Sequence, residues 1–98
     1  MKTKLLKRVK FLIKTLEKLI GKISHYYSKI NVGIIELTEG GLKVGDKIHI
    51  KGANVDFEQV VGSMQSEHEP INEAKTGDII GVEVIEKVYD GNEVYLIS

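Results

Sequence analysis

The sequence Asp46-Lys47-Ile48-His49-Ile50-Lys51 alternates polar and apolar residues, and a similar alternation returns in Ile79-Ile80-Gly81-Val82-Glu83-Val84. Successive side chains of a β-strand point to opposite faces of the sheet, so a period of two predicts half-buried strands. In the first stretch Ile48 and Ile50 would face the core, while the lysines and the histidine between them would face outward. These stretches indicate a mainly β protein.

Besides these two stretches, the chain after Gly21 contains further short runs of β-branched and aromatic residues, separated by glycine-centred turns. Six strands are predicted: Ile20–Tyr27, Asn31–Leu37, Asp46–Lys51, Asp56–Ser66, Ile79–Glu86 and Glu93–Ile97. Short strands without intervening helices are typical of barrels and sandwiches, and closure removes exposed strand edges. We therefore predict a small six-stranded closed β-barrel, with a bulge or bend near Val60-Val61-Gly62.

One turn pattern occurs three times, as glycine followed by Asp or Asn and then a strand. It is found in Val44–Ile48, Thr76–Ile80 and Asp90–Val94. Glycine accepts a positive φ, and the short polar side chain can hydrogen-bond to nearby backbone, so the pattern predicts turns. None of the glycine-rich loops ends in Lys-Ser/Thr or opens a helix, so no nucleotide site is predicted.

The N-terminal region differs from the rest in charge and periodicity. Residues 1–22 hold eight basic residues and one acid, whereas residues 23–98 hold six lysines and thirteen acids. Leu5, Val9, Leu12, Leu16 and Leu19 recur at steps of four and three, which predicts an amphipathic α-helix over residues 3–19. We therefore predict two parts, a basic helical extension over 1–19 and a β-domain over 20–98.

The stretch from Gly33 to Ile48 (GIIELTEGGLKVGDKI) resembles the opening hairpin of domain II in elongation factors of the Tu class. The resemblance continues through Val60–Gln65, His68–Ala74 and Gly77–Val82, and covers about residues 20–98. It is most similar to stand-alone translation elongation factor-like proteins, and less so to the β-barrel appended to collagenase-like peptidases. The family implies a translation-factor barrel that contacts RNA or the ribosome.

Catalytic chemistry is not expected from this sequence. There is no cysteine, and His25, His49 and His68 are about twenty residues apart on separate elements, so their spacing predicts surface roles and no metal site. Glu67-His68-Glu69 is interpreted as a solvated turn before Pro70 in preference to an acid–base cluster. No serine has the setting of a nucleophile. We predict a protein that is not an enzyme and needs no cofactor.

Two groups of residues are candidates for contact with RNA or another anionic surface. The basic extension could bind phosphates. Tyr26 and Tyr27, with Lys22 and Lys29 nearby in the sequence, could stack on single-stranded bases. Strand alternation alone would equally place one tyrosine in the core and its neighbour outside. The candidate contact residues are Lys4, Lys7, Arg8, Lys10, Lys14, Lys18, Lys22, Tyr26, Tyr27 and Lys29.

The leading prediction for function is a non-catalytic binding module of the translation-factor type, located in the cytoplasm, with RNA or a translation-associated protein as partner. A second interpretation is a peripheral membrane adaptor in which residues 3–19 lie on an anionic membrane surface. A third is an accessory barrel of a separate peptidase-like or RNA-modifying enzyme. The extension could also pack its leucine stripe against the barrel or a second copy.

Overall fold

The computed structural model describes residues 16–98, which form ten antiparallel strands and no helix. The strands are β1 (Glu17–Tyr27), β2 (Val32–Leu37), β3 (Leu42–Lys43), β4 (Lys47–Gly52), β5 (Val55–Val60), β6 (Met64–Ser66), β7 (Glu69–Ile71), β8 (Glu73–Ala74), β9 (Ile79–Glu83) and β10 (Glu93–Ile97). The prediction of a mainly β protein is confirmed for this part of the chain.

Eight of the strands form one sheet in the order β5-β4-β10-β1-β2-β9-β6-β7, and β3 and β8 pair separately. The prediction of a closed six-stranded barrel is wrong, because no backbone ladder within residues 16–98 joins the edge strands β5 and β7. The predicted strand Asp56–Ser66 is two strands, β5 and β6, separated by the irregular segment 61–63, which lies where the sequence predicted a bulge or bend. The three short strands β3, β7 and β8 were not predicted, because a segment of two or three residues is too short to show a recognisable alternation.

The predicted helix over residues 3–19 lies mostly outside the described residues. Where it overlaps them it is wrong, because residues 17–19 belong to β1, which pairs with β10 there. Pairing satisfies the backbone N–H and C=O groups of these residues within the sheet. The helical spacing of the apolar residues therefore does not decide the conformation of residues 17–19. The proposed division between residues 1–19 and 20–98 stays a prediction.

Strand β1 lies at the centre of the sheet and bends twice. Its register shifts against β10 between Leu19 and Gly21, and against β2 between Ile23 and His25. Strict alternation would send Ile20 and Ile23 to opposite faces, but with these irregularities both are fully buried. A side chain at Gly21 would overlap the backbone carbonyl of Glu36, so only glycine fits the bend.

An aliphatic core lies on the inner face of the curved sheet. It includes the isoleucines predicted to face inward, Ile48 and Ile50, together with Ile80, Val82 and Val84, and all five are buried. Burial of this apolar surface is the main favourable term for folding. The core therefore confirms the alternating pattern on which the fold class was predicted.

The three predicted turns share one geometry. Gly45, Gly77 and Gly91 have φ values of 98°, 97° and 91°. In each turn the following Asp or Asn accepts a hydrogen bond from a backbone N–H three residues earlier, as Asp46 does from Lys43 at 2.8 Å. A positive φ at the third residue is the conformation for which such turns select glycine.

Candidate functional site

An apolar groove of about 700 Å³ opens on one face of the sheet. One wall comes from the end of β1 and the turn after it, through Tyr27 and Ile30, and the floor comes from β2 and β9. The hairpin turn between β6 and β7 forms the opposite wall with Glu67 and His68. The groove is therefore built from segments far apart in sequence.

The groove exposes large apolar side chains. Tyr27, Ile30 and Ile79 are 49%, 57% and 59% exposed, and all three line the groove. An exposed apolar groove on a folded domain is a candidate binding surface. Glu67 and His68 add polar groups at the rim, which can orient a bound partner.

The turn at Glu67-His68 is a tight hairpin. Both residues have positive φ, 51° and 69°, between the paired residues Ser66 and Glu69. A two-residue hairpin with positive φ at both positions is the turn that matches the twist of the strands beside it. Glu67, His68 and Glu69 are exposed. The interpretation of this segment as a solvated turn is therefore confirmed.

The two predicted stacking residues have different environments. Tyr26 is half-buried against the core, and its hydroxyl donates a hydrogen bond to Oδ1 of Asn31 at 3.2 Å. Tyr27 points outward, and its ring meets that of His25 edge to face with centroids 4.4 Å apart. Of the two tyrosines, Tyr27 lines the groove and Tyr26 does not.

The predicted cations fall into two groups. Lys18, Lys22 and Lys29 are exposed, the first two on β1 and the third in the turn after it. Lys4, Lys7, Arg8, Lys10 and Lys14 lie outside the described residues. Contact of any of these residues with RNA stays a prediction.

A second cluster of polar side chains lies around His49, on the outer face of the sheet. Nδ1 of His49 is 2.8 Å from Oε2 of Glu17, and Nε2 contacts Oδ1 of Asp56. The His49 and Glu17 side chains are only 12% and 16% exposed. Glu58 pairs directly opposite His49 in the β4–β5 ladder. One ligating atom from each of Glu17, His49 and Glu58 lies within 4.8 Å of the others.

Two lysines and a tyrosine complete the surroundings of His49. Nζ of Lys47 is 3.2 Å from Glu58, and Nζ of Lys51 is 3.9 Å from Glu17. Lys51 also lies 4.9 Å from the centre of the Tyr95 ring on β10. These groups come from β4, β5, β10 and β1, so the cluster joins four neighbouring strands.

The His49 ring faces a carboxylate at each nitrogen. A neutral imidazole has one N–H, so one of these contacts would bring two acceptors together. Burial of the ring lowers the pKa of His49, but the hydrogen bonds and negative charges of Asp56 and Glu17 outweigh burial and raise it above 6.5. The protonated imidazolium, which donates at both ring nitrogens, is therefore favoured.

The sequence did not predict this cluster. His49 was expected to be an ordinary surface residue, because the three histidines are widely spaced. Its partners Glu17 and Glu58 come from β1 and β5, and β10 separates β1 from β4 in the sheet. Glu58 lies across the β4–β5 hairpin from His49, but no short-range spacing could signal that the strand order brings Glu17 there. The exposure of Ile30 and Ile79 at the groove was likewise not predicted.

The strands and the groove define a small β-domain, and solved structures share its fold. The chain is similar to the C-terminal domain of a protein from Geobacillus thermoleovorans assigned to the U32 peptidases. One structure of that domain superposes with a TM-score of 0.77 at 15% identity, covering 83% of this chain and 93% of that one. Its selenomethionine variant gives 0.74 at 16% identity, covering 79% and 96%. At these identities the likeness shows the fold.

Two curated proteins are similar in sequence. The uncharacterized protease MJ0090 of Methanocaldococcus jannaschii is 40% identical over 80 residues, which cover 81% of this chain. Elongation factor 1-alpha of Archaeoglobus fulgidus is 41% identical over 81 residues, covering 74% of this chain. The chain spans about a fifth of the length of each, 19% in both cases. No family model matches the chain.

These similarities agree with the predicted resemblance in part. The translation-factor likeness is supported by the elongation factor, while the protease and both solved domains support the peptidase-type likeness that the sequence placed second. Among residues 16–98, no helix is long and apolar enough to span a membrane. The cytoplasmic location stays a prediction.

Proposed function

We propose that this chain is a non-catalytic accessory β-domain that docks on a peptidase-like protein of the U32 type through the groove at Tyr27, Ile30 and Ile79. The exposed apolar groove is the observation that carries this proposal. A domain of this size with such a surface is suited to bind another protein, since buried apolar and aromatic side chains at the centre of an interface provide most of the affinity.

The relatives support this kind of partner. The matching region is one fifth of the protease MJ0090, so in that protein the domain is joined to a much longer chain. The Geobacillus domain is likewise the C-terminal part of a protein assigned to the U32 peptidases. The groove would give this domain a surface for contact with a peptidase-type protein, whether or not the two belong to one chain. The apolar groove with its acidic and imidazole rim would suit a partner segment that presents apolar side chains flanked by Lys or Arg.

A binding assay with U32-type proteins from the same organism tests this proposal. The full chain is titrated with each candidate protein by calorimetry, and the Ile79→Asp variant is compared with wild type. A charge placed in the groove would be desolvated on docking, so the variant should bind at least tenfold more weakly. The control is Ile85→Asp, because Ile85 is also a strongly exposed isoleucine but does not line the groove. Equal weakening by both variants, or no binding by wild type, would contradict docking at the groove.

A second candidate function is binding to RNA. The similarity to elongation factor 1-alpha favours it, as does the exposed ring of Tyr27 beside the cation Lys29. Titration with tRNA at 50 and 300 mM salt would test it, because binding through phosphates weakens steeply as salt rises. Tyr27→Ala should then reduce the affinity, since a stacked base is worth about 1–3 kcal/mol. Absence of binding at the lower salt would eliminate this candidate.

A further inference from the structure

We propose that Glu17, His49 and Glu58 form a binding site for a divalent transition-metal ion such as Zn²⁺, with Asp56 orienting the imidazole. The site lies on the outer face formed by β1, β4, β5 and β10, and shares no residue with the groove. It therefore adds a binding activity that the docking function does not require.

The ligand types and their spacing suit such an ion. One imidazole and two carboxylates match borderline cations, for which ligand distances are about 2.0–2.2 Å. Two ligands of a tetrahedral ion at those distances are about 3.4 Å apart. The 2.8 Å between His49 Nδ1 and Glu17 has to widen by about 0.6 Å to admit the ion, and the remaining ligand atom of Glu58 lies within 4.8 Å. The Glu58 side chain is about half exposed, so a rotamer change can bring it closer.

The roles of the two ring nitrogens follow from their neighbours. Nδ1 faces Glu17, so the metal takes the place of the proton between these two groups. Nε2 contacts Asp56, so its N–H donates to that carboxylate. A ligating histidine whose other nitrogen donates to a carboxylate is the usual arrangement in metal sites, because it holds the ring and increases its basicity.

The neighbouring lysines do not block the site. Lys47 pairs with Glu58 and Lys51 with Glu17, but the lysine side chains are about half exposed and can turn into solvent. Ion pairs at such exposed positions contribute little. The strand ladders hold the ligands in place: His49 and Glu58 are direct cross-strand partners, and β1 is held against β10, which in turn pairs with β4.

Titration of the full chain with Zn²⁺ at pH 7.5, followed by calorimetry, tests the site. We expect saturable binding of one ion per chain. His49→Gln should weaken it at least tenfold, whereas His68→Gln should leave it within twofold, because His68 lies in the exposed β6–β7 turn. Residues 1–16 contain no His, Cys, Asp or Glu, so they add no competing side-chain ligand of these types.

Three further measurements separate this site from a general loss of structure. Glu58→Gln changes an exposed residue and should also weaken binding about tenfold, with Glu86→Gln as its control. Asp56→Asn should weaken binding about 10–100-fold, the usual effect of removing such an outer carboxylate. The visible absorption spectrum of a Co²⁺-loaded sample should be that of a low-coordinate ion. The His49→Gln substitution should abolish this absorption. Absence of saturable Zn²⁺ binding up to 1 mM, or equal affinity of the wild type and His49→Gln, would overturn the proposal.

Discussion

The side-chain oxygen of Gln59 accepts a hydrogen bond from the backbone N–H of Ile85 at 2.9 Å. The amide nitrogen of the same side chain donates to the carbonyl oxygen of Glu83, also at 2.9 Å. Gln59 belongs to the edge strand β5, and Glu83 is the last residue of β9, so a buried side chain joins parts of the sheet that no backbone ladder connects. It supplies both hydrogen bonds that a neighbouring strand would have made.

Replacing Gln59 by Leu should therefore destabilise the fold. The change keeps a similar volume but leaves the N–H of Ile85 and the carbonyl of Glu83 without this partner, for an expected loss of about 2 kcal/mol in the free energy of unfolding. Urea denaturation followed by circular dichroism measures it. The control is Gln65→Leu at a half-buried position of β6, which should cost about 0.5 kcal/mol or less. Similar losses for the two variants would show that the bridge contributes nothing specific.

The need for glycine in the turns with a positive φ can be tested with a matched pair of glycines. A Cβ at Gly45 or at Gly62 would meet no atom within 4 Å, but only Gly45 has a positive φ, of 98°. Gly45→Ala should reduce the free energy of unfolding by roughly 1–2 kcal/mol through backbone strain alone. Gly62→Ala should be neutral or slightly stabilising, because alanine restricts the unfolded chain. Chemical denaturation of both variants gives the comparison, and equal values would contradict strain at Gly45.

The exposed side chains of the groove should be dispensable for folding, unlike Ile80, which lines the groove but belongs to the core. Ile79→Asp changes a side chain that is mostly exposed, so the free energy of unfolding should stay within about 0.5 kcal/mol of wild type. Thermal unfolding of this variant and of Ile85→Asp should give midpoints close to that of the unmodified chain. A large loss for Ile79→Asp alone would mean that the groove floor contributes to the core, and the docking assay would then need Tyr27→Ser instead.

Protonation of His49 should make stability depend on pH. The pKa of His49 is higher in the folded chain than its ordinary value of 6.5, so the stabilisation is fully present below pH 6.5 and is lost as pH rises through the folded pKa. The difference in unfolding free energy between wild type and His49→Gln should thus be larger at pH 5.5 than at pH 8.5. Urea denaturation at both values, with a chelator present to exclude metal, measures it. A difference for His49→Gln that is the same at both pH values would contradict this effect of His49 protonation.

Local patterns in the sequence determined the fold class, the turns and the inward-facing residues. Alternation in Asp46–Lys51 and Ile79–Val84 acts through the geometry of a single strand, and the glycine turns act over four residues. Both therefore form under rules that hold wherever the segments lie in space. The predicted bend after Val60 and the exposed turn at Glu67-His68 belong to the same class of short-range information.

Tertiary structure alone decided how the sheet is joined and where its sites lie. The strand order brings Glu17 to His49 and Gln59 to Ile85, over separations of 32 and 26 residues, whereas Glu58 reaches His49 across the β4–β5 hairpin. The groove likewise forms where the end of β1 meets β9 and the β6–β7 turn. Such contacts depend on which strands become neighbours, a choice made by the packing of the whole aliphatic core and by bulges such as that at Gly21. No local pattern carries that information, because the same alternating segments could pair in several orders.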